Sequence, residues 1–262
     1  MLKVPINNFW SSISNLFTSF TSAVIFYTVI PLPAKWTNNW SRIARWCPLI
    51  GLFIGSILAL LVTWLEFLGI PKLTRSGLAI AVWVALTGGL HLDGAMDTAD
   101  GLSVTNPDRR LEVMRDSATG AFGAISAIII LLLKTVTLSE MSLPLWFVLL
   151  AATGWARWGQ VCAIAFYPYL RATGKGSFHK ENLRSPQDIL LGLLVLLCLS
   201  GIYFVVGDLF WWQVLIISGG NIAIALLTGY WFNRQLGGHT GDTYGAVVEW
   251  SEALILCWLT AF

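Results

Sequence analysis

Charge is what this chain has least of. Lys, Arg, Asp and Glu make up 11% of its 262 residues, less than half the roughly 25% of an ordinary soluble domain. The net charge is only +2 and the basic residues sit in separate loops, which excludes nucleic acid as a partner. Cysteine is scarce as well. Cys47, Cys162, Cys198 and Cys257 stand singly, without CxxC or CxxH spacing, so neither a zinc site nor a disulfide framework is expected. No internal repeat, low-complexity tract or long linker divides the chain, and residues 1–262 are expected to form a single membrane-embedded domain. A cleavable signal peptide is not expected, because Lys3 is the only positive residue near the start and "YTVIPLP" offers no small-residue cleavage site.

What is present is apolar: 56% of the residues are hydrophobic. A helix needs about 20 mostly apolar residues to cross a bilayer, since every backbone polar group must be paired within the segment. Windows 47–70, 76–92, 119–142, 144–167, 189–207, 209–232 and 246–262 qualify, while Phe9 to Ile30 is uncharged but rich in Ser and Thr. The expected fold is therefore all-α: a polytopic integral membrane helical bundle of seven or eight helices, with the lipid bilayer as its solvent. Basic loops at 35–45, 109–115, 171–184 and Arg234 all face the cytoplasm if Phe9 to Ile30 spans; Lys72 and Arg75 are then the discordant pair.

Against this background "GGLHLDGAMDTADGL" (88–102) is conspicuous. If the helix of 76–92 continues to Gly101, Asp93, Asp97 and Asp100 stand at i, i+4 and i+7 on one face. Like charges so close repel, and a divalent cation among them reverses the local field. All-oxygen ligands suit Mg²⁺ or Mn²⁺ rather than zinc. A solvated acidic loop is the plainer alternative. His91 points to another side of the helix and is expected to be a hydrogen-bonded structural residue.

A second polar cluster, "LGGHTGDTYG" (236–245), supplies Gly238, Thr240 and Asp242 in a glycine-rich turn that opens onto a helix N-terminus, a natural seat for phosphate or a metal-bound ligand. Beyond it, Glu249 and Glu252 lie inside an apolar helix, where carboxylates are either functional or paired. Arg157, in "GWARWGQ", must likewise meet a carboxylate or a phosphate. The loop "YLRATGKGSFHK" offers Arg171, Lys175, His179 and Lys180 to a nucleotide diphosphate, or is a plain positive-inside loop. "LEVMRDSATGAFG" places Arg115 beside the acidic helix. Lys134 is expected to snorkel or to pair with Glu140.

Together these residues indicate a membrane enzyme acting on a phosphoanhydride at the cytoplasmic face. Two rivals stay open. A CDP-alcohol phosphotransferase uses the same logic but has Ala-Arg where this chain reads "DGAMDTAD"; an ion-coupled transporter also carries intramembrane acids, though with repeats and midplane sites that are not seen here.

The motifs "TVIPLP", "GGLHLDGAMDTADGL", "LEVMRDSATGAFG", "YLRATGKG" and "LGGHTGDTYGA", in that order and over nearly the whole chain, resemble the cobalamin synthase (adenosylcobinamide-GDP ribazoletransferase) family. Ala156 replaces a usual Ser before the helix arginine, and "YLRATGKG" replaces a YAR-type sequence. The resemblance implies that adenosylcobinamide-GDP reacts with α-ribazole or its 5′-phosphate, giving adenosylcobalamin or its 5′-phosphate and GMP, with Mg²⁺ as cofactor. It implies Asp93, Asp97, Asp100 and Asp242 as metal-binding and catalytic residues, and Arg157, Arg171, Lys175, Arg115, Thr240 and Gly238 as substrate-binding ones. It also implies a bacterial plasma (inner) membrane enzyme; homo-oligomerisation stays open.

Overall fold

The computed structural model describes residues 6–171, 175–207 and 209–262, with side chains from Ser14 onward apart from Lys175. Among these residues there are eleven α-helices and no strand. They are α1 (Ile6–Tyr27), α2 (Cys47–Phe67), α3 (Lys72–Leu86), α4 (Leu90–Ser103), α5 (Arg110–Val113), α6 (Ala121–Glu140), α7 (Leu145–Phe166), α8 (Lys175–Asn182), α9 (Gln187–Val206), α10 (Trp211–Leu236) and α11 (Gly241–Leu259). Each of the eight expected windows holds one of the longer helices, and the all-α bundle is the observed fold.

Five spans among the described residues are long and apolar enough to cross a membrane: Ile43–Phe67, α6, α7, α9 and α10. The pair α3 and α4 would make a sixth if taken as one bent span. The bend is 89°, and it corrects the expectation of a continuous helix from 76 to 101. Gly88 and Gly89 both have positive φ, 61° and 69°, a left-handed conformation that glycine adopts without penalty and that ends a right-handed helix. The three aspartates still share one helix, because α4 restarts at Leu90.

Helix α7 is the hub. Nearly every side chain from Phe147 to Ile164 is buried, against α2, α11, α10 and α9. Small residues allow this. A Cβ on Gly51 would lie 2.3 Å from the Thr153 carbonyl oxygen, and one on Gly55 2.8 Å from that of Leu149, so this four-residue glycine spacing lets α2 and α7 approach almost backbone to backbone.

Four buried charges tie α6, α7 and α11 together. Lys134 Nζ meets Glu249 Oε2 at 2.7 Å and also Glu252, and lies 4.6 Å from the centre of the Trp83 ring. Arg157 donates to Glu252 Oε1 at 2.6 Å and to the Thr153 carbonyl at 3.2 Å. Two expectations are corrected here. Lys134 pairs across the bundle rather than with Glu140. Arg157 reaches the carboxylate of its two alternatives: it is 1% exposed, committed to Glu252, and does not line the cleft described next.

Candidate active site

The two glycine-aspartate motifs meet because glycines let their backbones touch. A Cβ at Gly94 would stand 2.6 Å from the Asp242 carbonyl oxygen, and one at Gly245 2.9 Å from that of His91. Helix α4 therefore packs directly on the first turns of α11, and Asp93 and Asp242 line one cavity. Asp97, one turn further along α4, lies within electrostatic reach of Asp93, Asp242, Asp100 and Arg171.

The start of α11 is held by reciprocal caps. Thr240 Oγ1 accepts from the Thr243 amide at 3.3 Å, and Thr243 Oγ1 accepts from the Thr240 amide at 2.7 Å, satisfying donors that a helix N-terminus leaves free. The preceding turn is laced to the segment after α7: the Leu170 amide donates to the His239 carbonyl and the His239 amide to the Pro168 carbonyl, both at 2.8 Å. Gly238 is required by this contact, since a Cβ there would lie 2.6 Å from the Pro168 oxygen. The lacing brings Arg171 to Asp242, with NH2 2.7 Å from Oδ2; Thr240 also donates to Oδ2 at 3.3 Å. Burial pulls His239 down to about 4, so its ring is neutral. Nε2 lies 3.1 Å from the Gly229 carbonyl, which can only accept, and that leaves Nδ1 to accept from Thr243 Oγ1 at 3.1 Å.

Asp100 is placed differently from the other acids. Its carboxylate accepts from the amides of Gly120 and Gly123, each at 2.8 Å, and so caps the N-terminus of α6, where negative charge is favoured. Arg115 is exposed on the segment after α5 and does not line the cavity. Gly238 and Thr240 are buried and shape the turn rather than face the cavity. Lys175 begins α8, but its side chain lies outside the described residues.

As they stand, no three His, Cys, Asp or Glu side chains among the described residues form a ready-made metal cage. The donor chemistry is nevertheless that of a hard cation: Asp93, Asp97 and Asp242 offer only carboxylate oxygens, and one guanidinium offsets them. Asp93 is exposed and Asp97 and Asp242 half-buried, so these groups are reachable. Behind them the cavity runs inward to Tyr27, His91, Gln160, His179 and Tyr244. Of these, Tyr27 and Gln160 carried no signal in the sequence beyond being polar in or beside an apolar segment, and Tyr244 lies within "LGGHTGDTYG" without having been given a role. The expectation of a hydrogen-bonded His91 is not met, since neither of its ring nitrogens has a partner.

The fold and site define a polytopic α-helical membrane protein whose acidic cleft is assembled from two glycine-aspartate motifs far apart in the chain. The profile of the Cobalamin-5-phosphate synthase family matches residues 19–260, and the chain belongs to this family. A protein of Trichormus variabilis named adenosylcobinamide-GDP ribazoletransferase is 57% identical over 247 residues, covering 94% of this chain and 97% of the relative. Relatives of the same name from Synechocystis sp. (49% identical, 91% and 93% covered) and Desulfitobacterium hafniense (39%, 89% and 93%) are also similar. No solved structure matches the chain.

Proposed function

We propose that the chain joins adenosylcobinamide-GDP to α-ribazole, or to α-ribazole 5′-phosphate, giving adenosylcobalamin or its 5′-phosphate and releasing GMP. The observation that carries this is the meeting of Asp93, Asp242 and Arg171 on one cavity, with Asp97 within electrostatic reach of all three, combined with similarity over nearly the whole chain to proteins named for that transfer. Residues 1–262 act as one domain in the bacterial plasma (inner) membrane. The basic loops, which flank the cleft in sequence, favour a cytoplasmic orientation.

Asp93, Asp97 and Asp242 would hold Mg²⁺, with Asp100 bracing α4 through its bonds to the start of α6. Bound there, the ion supplies positive charge to the substrate diphosphate and to the departing GMP. Arg171, already paired with Asp242, is the cation placed to contact a phosphate oxygen. A carboxylate of this cluster takes the proton of the attacking ribose hydroxyl. Little covalent chemistry is asked of the protein, since phosphoryl transfer is mainly positioning and charge stabilisation.

The test is GMP release by the purified protein in detergent, given both substrates with and without Mg²⁺, beside Asp97→Asn. Mg²⁺-dependent GMP matched by cobalamin and lost in the variant is the expected result. Folded wild-type protein that turns over neither form of ribazole would overturn the proposal.

A further inference from the structure

The cavity behind the carboxylates is polar in a way that the acidic mouth does not explain. Its volume is about 230 Å³, below the roughly 300–1,000 Å³ that whole drug-sized ligands occupy. It accommodates one ring-sized part of a larger molecule and excludes a macrocycle.

Besides the Tyr27 hydroxyl and Arg171 Nε, which also lack a hydrogen-bond partner, five polar atoms on four of its side chains have none: His91 Nδ1 and Nε2, Gln160 Oε1, His179 Nδ1 and the Tyr244 hydroxyl. All four residues are 5% exposed or less, and they come from α4, α7, α8 and α11. An unmet buried donor or acceptor costs about 1–3 kcal/mol, and native interiors hold few of them. Their gathering on one cavity wall means that the missing partners belong to whatever fills the cavity. The same wall is aromatic: the Tyr27 ring stacks on His91 (25° between planes) and on His179 (21°), and Tyr169 stacks on Tyr244 (27°). A planar ring with a polar edge matches both features.

Three such rings enter the proposed reaction: the adenine of the adenosyl group carries no phosphate and so does not account for the charged outer end of the cavity, and the polar count separates the other two. The benzimidazole of ribazole has one free ring nitrogen and is otherwise hydrocarbon, so it would leave most of the five atoms unmet. Guanine offers O6 and N7 as acceptors and N1–H and the 2-amino group as donors, which suits neutral imidazoles, a carboxamide and a phenol. The charged groups at the outer end of the cavity, Asp93, Asp242 and Arg171, stand where the phosphates of a guanine nucleotide would emerge.

We propose that this cavity binds the guanine base of the GDP-activated substrate, and of the GMP that leaves, with Gln160 and Tyr244 reading its polar edge. The assignment rests on the transferase function proposed above, and it makes the enzyme selective for guanine over adenine.

Equilibrium binding of GMP, IMP and AMP to the full-length protein in detergent tests it, beside Gln160→Leu and Tyr244→Phe, each checked for monodispersity and melting temperature. The expected result is GMP bound at least about tenfold more tightly than AMP, with each variant weakening GMP by about tenfold, since a site built to hydrogen-bond a group rejects what lacks it. In turnover, the KM for adenosylcobinamide-GDP rises in the variants while that for α-ribazole is unchanged. A KM that rises for α-ribazole alone would put its benzimidazole in the cavity and overturn the proposal. Folded variants that change neither would overturn it too, leaving a water-filled cavity. The two proposals fail separately: guanine-selective binding lost in the variants supports the cavity assignment even without turnover, and turnover without guanine selectivity sinks the cavity assignment alone.

Discussion

The protein holds two groups of ionised side chains, and they are built on opposite plans. In the α6–α7–α11 core, Lys134 and Arg157 face Glu249 and Glu252: two cations for two carboxylates, none more than 4% exposed along its side chain. At the cleft, among the described residues, Asp93, Asp97 and Asp242 stand within electrostatic reach of one another with one guanidinium, Arg171, paired to Asp242, and remain open to solvent. Inside a bundle, balance is compulsory, because an unpaired buried charge is severely costly. At the rim, imbalance is tolerable, since solvent screens the surplus of negative charge, and it suits the cation proposed above. The same residue types therefore mean different things, and pairing, more than burial alone, tells them apart.

The contrast can be broken by experiment. Lys134→Met should have the largest effect on stability, about 3–5 kcal/mol, because it leaves two buried carboxylates with one partner; the melting temperature in detergent should fall sharply, or the protein should fail to purify as a single species. Adding Glu249→Gln to that variant should restore much of the loss, and no restoration would show that the balance of charge is not what matters. Asp93→Asn should behave in the opposite way. Turnover is expected to drop at least about 100-fold, whereas the melting temperature should hold or rise as a repelling charge is removed; a fall comparable to that of Lys134→Met would erase the distinction.

Metal sharpens the comparison next. Mg²⁺ should raise the melting temperature of the wild type, by an amount equivalent to about 2.7 kcal/mol at 100 times its dissociation constant. The rise should be absent in Asp93→Asn/Asp97→Asn, and a chelator should stop turnover. Asp100→Asn should fall between the two classes and cost about 1–3 kcal/mol, since one of the two amides it serves would face an NH₂ group; an effect on rate without one on stability would remove it from the scaffold. The smallest effect concerns pH. Burial holds His179 and His239 near 4, against about 6.5 unfolded. The unfolded chain thus takes up protons first, and stability that is present above pH 6.5 is lost as the pH falls toward 4. Between pH 7 and 6 the two should contribute a loss of about 1 kcal/mol; a melting temperature that rises on acidification would contradict their neutrality in the fold.

The helices were legible because lipid imposes length and apolarity on each segment separately, and all eight windows hold one. Asp93, Asp97 and Asp242 were legible as acids with no local reason to be there. The break at Gly88 and Gly89 was not, since glycine inside an apolar run is compatible with either a helix or its end. Nor was the partner of Lys134: Glu140 is six residues away along the chain, whereas Glu249 and Glu252 are more than a hundred away and are brought near only by packing. Gln160 escaped for the same reason, because a lone polar side chain in an apolar helix becomes informative only when its neighbours from other helices are known to leave it without a partner.

The buried charge network also carries an order of assembly. Synthesis runs from the N-terminus, so Lys134 and Arg157 are made about a hundred residues before the carboxylates they require, and α11 carries Glu249 and Glu252 with no cation of its own. Neither half is at rest in hydrocarbon alone. Helix α11 is thus the one that neutralises the earlier ones, and a chain released before it has emerged retains two stranded positive charges.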